Sequence, residues 1–164
     1  MNPRALGAAA AFAALALDQA SKAAVVYGMA MDGREPIFLT PFLNLSLRWN
    51  YGISFSLFQQ DTSLGRWVLL GFTLAATVLL CVWLWRTHDR LAAFALGAII
   101  GGALGNGFDR FVYGAVADFL DLHAFGRNFF VFNIADAAIN LGVGLLLIDA
   151  VFGTRWRSQP RQQV

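Results

Sequence analysis

The stretch WVLLGFTLAATVLLCVWLW, Trp67 to Trp85, has no charged residue in 19 positions, and LAAFALGAIIGGALGNGF, Leu91 to Phe108, has none in 18. At 1.5 Å rise per residue, about 20 apolar residues cross a hydrocarbon core of about 30 Å, so each run is a membrane-spanning helix. Working outward, a third candidate runs from Ala5 past Asp18 and Lys22 to about Tyr27. A fourth runs from Phe129 to Phe152 with Asp136 and Asp149 inside it. The expected architecture is therefore a single α-helical membrane domain with four transmembrane helices, at about 5–27, 65–86, 91–110 and 129–153. Composition agrees: 58% of the 164 residues are hydrophobic and 13% charged, with mean hydropathy +0.58, whereas soluble domains carry about a quarter charged residues. Four prolines without a period and one cysteine, Cys81, argue against a collagen-like repeat and a disulfide scaffold. A net charge of +2 with no basic cluster interleaved with aromatics gives no reason to expect a nucleic-acid partner.

Basic residues set the expected orientation. Arg4 precedes the first span, Arg86 and Arg90 flank the short connection between the second and third, and Arg155, Arg157 and Arg161 follow the fourth. Both termini are then cytoplasmic, although Arg34, Arg48, Arg66, Arg110 and Arg127 on the other side make the bias modest. A rival reading takes Arg4 and the uncharged Ala5–Leu17 as a cleavable signal peptide, which would discard Asp18.

Between the first two spans the period changes. Leu43, Leu45, Leu47 and Trp49 alternate with Asn44, Ser46, Arg48 and Asn50, and Ile53, Phe55 and Leu57 alternate with Ser54 and Ser56. Period two marks half-buried strands. Asn50-Tyr51-Gly52 supplies the turn, with Gly52 free to take positive φ, and Thr62 or Ser63 caps the next helix. A small extracytoplasmic β-sheet is expected over about 30–60. Residues 111–128 mix Phe119, Leu120, Leu122 and Phe125 with Asp118, Asp121, His123 and Arg127, which reads as an interfacial amphipathic segment. The 155–164 tail is cytoplasmic in this scheme.

Polar groups at membrane depth carry the functional signal, because an ionised Asp at a helix centre costs about 2.5–3.5 kcal/mol on insertion scales. Asp18, Ser21 and Lys22 share one face of the first helix, where an internal ion pair would make both charges tolerable. Gly101 and Gly105 allow close helix contact, and Asn106, Asp109 and Arg110 follow on one face. Asp109 either ends its helix through a backbone or Arg110 contact or partners an acid elsewhere. Asn133 and Asp136, at i and i+3, are placed roughly two turns inside the fourth helix. Asp118 can fold back against Asp136, and two carboxyl groups held close in a low-dielectric site share one proton, which suits them to acid–base hydrolysis of an amide. No Gly-x-Ser-x-Gly turn is present, His88 and His123 are distant in sequence, and Cys81 reads as packing. Neither a metal nor an organic cofactor is expected.

Five blocks resemble the lipoprotein signal peptidases (signal peptidase II): Asp18 to Lys22 (DQASK), Asn50 to Phe55 (NYGISF), Gly101 to Arg110 ending GNGFDR, Val116 to Phe119 (VADF), and Phe132 to Asp136 (FNIAD). The resemblance implies an aspartic endopeptidase of the bacterial inner membrane. Such an enzyme cleaves diacylglyceryl-modified prolipoproteins before the lipidated Cys, among membrane lipids, without cofactor. It implies Asp118 and Asp136 as the catalytic pair, with Asp18, Lys22, Asn50, Gly52, Asn106, Asp109, Arg110, Asn133 and Ala135 binding substrate or ordering the site. Nothing in the sequence demands more than a monomer. The alternative is a small proton-coupled transporter, since intramembrane acids also form proton relays, although four helices without an inverted repeat leave little room for alternating access.

Overall fold

Residues 1–52, 63–124 and 127–153 are described in the computed structural model. Helix α1 spans Pro3–Ala23 and continues through a π-helical turn, Ala24–Gly28; α2 spans Ser63–Arg86, α3 Arg90–Val112 and α4 Ile134–Ile148. Each helical stretch is long and apolar enough to cross a membrane. Local chemistry fixes where they begin. Asn2 caps α1 by accepting the Arg4 N–H at 3.0 Å, with Pro3 in the first helical position. Asp89 accepts the Ala92 N–H at 2.9 Å and starts α3.

Helix α3 is the hub and packs on α1, α2 and α4. Two-thirds of its apolar window, 67%, is buried inside the protein, against 6% for α2, which turns outward. Small residues allow the approach: a Cβ on Gly97 would meet the Gly7 carbonyl, on Gly101 the Ala11 carbonyl, and on Gly102 the Ala135 carbonyl. On Gly105 it would meet the Asp18 carboxylate. Backbones drawn together at small residues are the usual basis of helix association in lipid, where apolar side chains gain little by leaving the tails.

Strands β1 (Ile37–Thr40), β2 (Leu43–Asn50), β3 (Val116–Ala124) and β4 (Arg127–Phe132) form one antiparallel sheet in chain order. It sits at the end of the bundle where α1 and α3 finish and α2 and α4 start. Gly114, at φ +80°, makes the turn from α3 into β3 that an L side chain would resist. Val25 and Met31 from the end of α1 pack with Leu45 and Phe119, joining sheet to bundle.

Several expectations change. Within the 111–128 segment, α3 runs to Val112, and β3 and the start of β4 complete the sheet. The fourth helix starts at Ile134 rather than 129, because Phe129–Phe132 lies in β4 and Asn133 is the cap. Asp136 is therefore in the first helical turn. Positive φ is found at Gly33 and Gly114. Cys81 is exposed on the outward side of α2 rather than packed. The 53–57 alternation, the Thr62 cap and the 155–164 tail lie outside the described residues.

Candidate active site

Lys22, brought inward by α1, is 4% exposed, and all three of its ammonium protons have an acceptor: Asp18 Oδ2 at 2.7 Å, Asp109 Oδ2 at 2.8 Å and Asn106 Oδ1 at 3.0 Å. The two acids are saturated by further donors. Asp18 Oδ1 accepts the Ala135 N–H at 2.9 Å, while Asp109 accepts the Ala117 N–H at 3.2 Å and the Gln19 carboxamide at 2.9 Å. Each of those bonds crosses between elements: α1 to the start of α4, α3 to β3, and α1 to α3. Ser21 instead turns back to the Asp18 carbonyl at 2.8 Å. A buried cation held by two anions and fully hydrogen-bonded is stable only with such complete satisfaction.

Asp118 and Asp136 are held differently. Asn133, wholly buried at the β4–α4 junction, donates from Nδ2 to Asp118 Oδ1 at 2.6 Å and to Asn106 Oδ1 at 3.1 Å. Its Oδ1 accepts the Asp136 N–H at 2.9 Å, and its own N–H donates to Asp136 Oδ2 at 3.2 Å. This is a reciprocal capping box, with Asp136 in the position usually taken by Glu or Gln. Asn106 Nδ2 donates to Asp136 Oδ1 at 2.8 Å, and Asn50 Nδ2 to Asp118 Oδ2 at 3.0 Å. The amide donors to these two carboxyl groups carry no charge, in contrast to the ammonium that serves Asp18 and Asp109. Asn133 contacts both acids, which therefore face one small region. Asp118 is 4% exposed and Asp136 is half-buried, so solvent reaches the pair from the Asp136 side. Burial, and after it repulsion from Asp136, pushes the Asp118 carboxyl up from 3.8 to about 7.

The surrounding turn is braced. Asn50 Oδ1 accepts the Gly52 N–H at 3.0 Å, which fixes which end of the carboxamide faces Asp118. Arg110 donates from Nη2 to the Gly52 carbonyl at 3.1 Å and from Nη1 to the Asn106 carbonyl at 3.4 Å. Gly52 thus contributes an N–H and a carbonyl. Ala135, wholly buried, contributes an N–H and a side chain small enough to lie beside Gly105.

All the residues singled out from sequence come together, in two groups bridged by Asn106. Asp109 makes no hydrogen bond to Asp136; its partners are Lys22, Gln19 and Ala117. Gln19 was not singled out, although it lies next to Asp18 and its carboxamide spans Asp18 Oδ2 at 3.2 Å and Asp109. A polar residue beside a buried ion pair was the available signal. Among the described residues, no group of three or more His, Cys, Asp and Glu is arranged to hold a metal.

The family model described as signal peptidase (SPase) II matches residues 10–152. The chain is 51% identical over 150 residues to the lipoprotein signal peptidase of Beijerinckia indica, covering 92% of this chain and 90% of that one. To that of Methylocella silvestris it is 50% identical over 155 residues, covering 94% and 91%. A solved bacterial membrane enzyme superposes with TM-score 0.79 at 25% identity, covering 96% of this chain and 93% of that one. A second superposes with TM-score 0.75 at 26% identity, covering 88% and 92%. With these likenesses, the four-helix fold and its acidic site define a membrane peptidase. The chain belongs to the signal peptidase II family.

Proposed function

We propose that the protein removes signal peptides from lipid-modified prolipoproteins by aspartic endoproteolysis, with Asp118 and Asp136 as the acid–base pair. The observation that carries this reading is the contrast between the acids: Lys22 lies between Asp18 and Asp109 as their shared counter-ion, while Asp118 and Asp136 share Asn133 and receive only neutral amide donors. A carboxylate saturated by an ammonium ion is a poor base, whereas a pair without a dedicated cation retains one proton.

In the proposed reaction Asp118, protonated below about pH 7, donates a hydrogen bond to the scissile carbonyl. Asp136, on the more open side, acts as the base and takes a proton from the attacking water. The new C–O bond gives a tetrahedral intermediate. Its collapse breaks the C–N bond, and the proton held by Asp136 passes to the leaving amine. Asn133, Asn106 and Asn50 keep both carboxyl groups oriented, and Asp18, Lys22, Asp109 and Arg110 hold the frame. Cleavage before a lipidated Cys fits this arrangement, since acyl chains remain in the bilayer while the peptide bond meets acids at its rim.

The reading extends to placement: both termini cytoplasmic, the sheet and the acids toward the extracytoplasmic face of the bacterial inner membrane, and a monomer sufficing because one chain supplies every group named. The transporter alternative has no support from the family. The test is cleavage of a diacylglyceryl-modified precursor by purified protein. Asp118→Asn and Asp136→Asn should each abolish the size shift while the chain stays folded in detergent, and full activity in either variant would remove that acid from the pair.

A further inference from the structure

Strand β2 changes face partway along. Leu45 lies opposite Leu120 and Arg48 opposite Asp118, so β2 uses three residues where β3 uses two. Directly opposed residues in an antiparallel pair point to the same face. The extra residue, a bulge at Ser46–Leu47, therefore gives the Leu45 face to Arg48 and Asn50 instead of Leu47 and Trp49. The unbroken alternation in the sequence would have done the reverse. One result is the Asn50 bond to Asp118. The other is Arg48, rooted directly across from Asp118 on that same face.

The Arg48 side chain is exposed, and no hydrogen bond or ion pair joins it to any described residue. Lys22 and Arg110, the other cations of the site, are engaged. An exposed cation on a strand commonly guards a sheet edge against pairing. β1 pairs with β2 only over Leu43–Leu45, so at Arg48 that side of the strand is an edge among the described residues, and a purely edge-guarding Arg48 predicts equal treatment of the three precursors compared below. What sets Arg48 apart is its register position: an uncommitted side chain on the residue paired with Asp118, whose carboxyl group is proposed to meet the scissile bond.

We propose that Arg48 is a specificity-determining residue that binds an acidic side chain of the precursor a few residues beyond the cleaved bond. The proposal rests on the peptidase reading given above. The acid belongs on that side because the signal helix lies in hydrocarbon, where Asp and Glu are costly. An extended chain advances about 3.3 Å per residue, so a long side chain opposite Asp118 covers about the second or third residue past the bond.

The experiment compares three lipid-modified precursors that differ only there, with Glu, Gln or Lys, cleaved by the full chain in detergent. An exposed ion pair supports a difference of about two- to fivefold. Wild type should follow Glu over Gln over Lys in kcat/KM, mainly through KM, with the spread narrowing in high salt. Arg48→Gln should flatten the order, Arg48→Lys keep it, and Arg48→Glu reverse it. Equal treatment of the three precursors by wild type, or an order that persists in Arg48→Gln, overturns the proposal. So does a uniform loss on all three precursors in Arg48→Gln, which would mark a structural role. Cleavage of the Gln precursor by wild type tests the peptidase reading by itself; no cleavage of any precursor would remove both.

Discussion

Four aspartates converge on one end of the bundle, and what separates their surroundings is a single ammonium ion. Asp18 and Asp109 sit against Lys22 at 2.7 and 2.8 Å, whereas Asp118 leans on the carboxamides of Asn50 and Asn133. Those carboxamides favour the ionised form of Asp118, and burial together with Asp136 outweighs them to hold it near 7. Activity that needs protonated Asp118 should therefore fall as pH rises through about 7. Asn50→Ala removes a donor to the ionised form, so the alkaline limb of kcat/KM against pH should move upward. A limb that stays in place would assign it to another group. The same proton is linked to stability: the folded chain keeps it to about pH 7, the unfolded chain releases it near 3.8, and stability declines across that window. Sequence exposed these acids because charge is rare at membrane depth. It left the partner of Asp109 open, since spacing cannot say which neighbour a side chain meets across α1, α3 and β3.

Among the elements, the interfaces of α3 depend on missing side chains. Gly105→Ala would set a methyl group against the Asp18 carboxylate, displacing the Lys22 brace. Overpacking of this kind typically costs about 1–3 kcal/mol. Gly144, with nothing within 4 Å of an added Cβ, is the control on α4, where alanine gains up to about 1 kcal/mol of helix propensity. Cleavage assays and thermal melts of the two variants should diverge, with Gly105→Ala less active and less stable and Gly144→Ala at least as stable as wild type. The two uncharged runs made α2 and α3 plain from sequence. The strand Phe129–Phe132 was hidden because its aromatic and aliphatic residues continue directly into the apolar run of α4. Only the Asn133 and Asp136 spacing, a capping box, marks the break. The β2 bulge was hidden more deeply: the alternation of Leu43 to Asn50 is unbroken, and the phase change is imposed by β3.

Over the whole molecule, large apolar side chains such as Phe72, Leu79 and Trp85 face outward, as a chain that dissolves in lipid requires. The proposed orientation is testable through Cys81, the single cysteine. In a Cys81→Ser background, Asp32→Cys should react with a membrane-impermeant maleimide in intact spheroplasts, and His88→Cys only after permeabilisation. The opposite pattern would invert the orientation. The two proposed catalytic acids are carried by different kinds of structure, Asp118 by a strand and Asp136 by the first turn of a helix, with Asn133 between them. Their spacing is thus a gauge of how the sheet is seated on the bundle. A small molecule wedged under the rim of that sheet would silence the enzyme without approaching either carboxyl group, and resistance to it would arise at the seam.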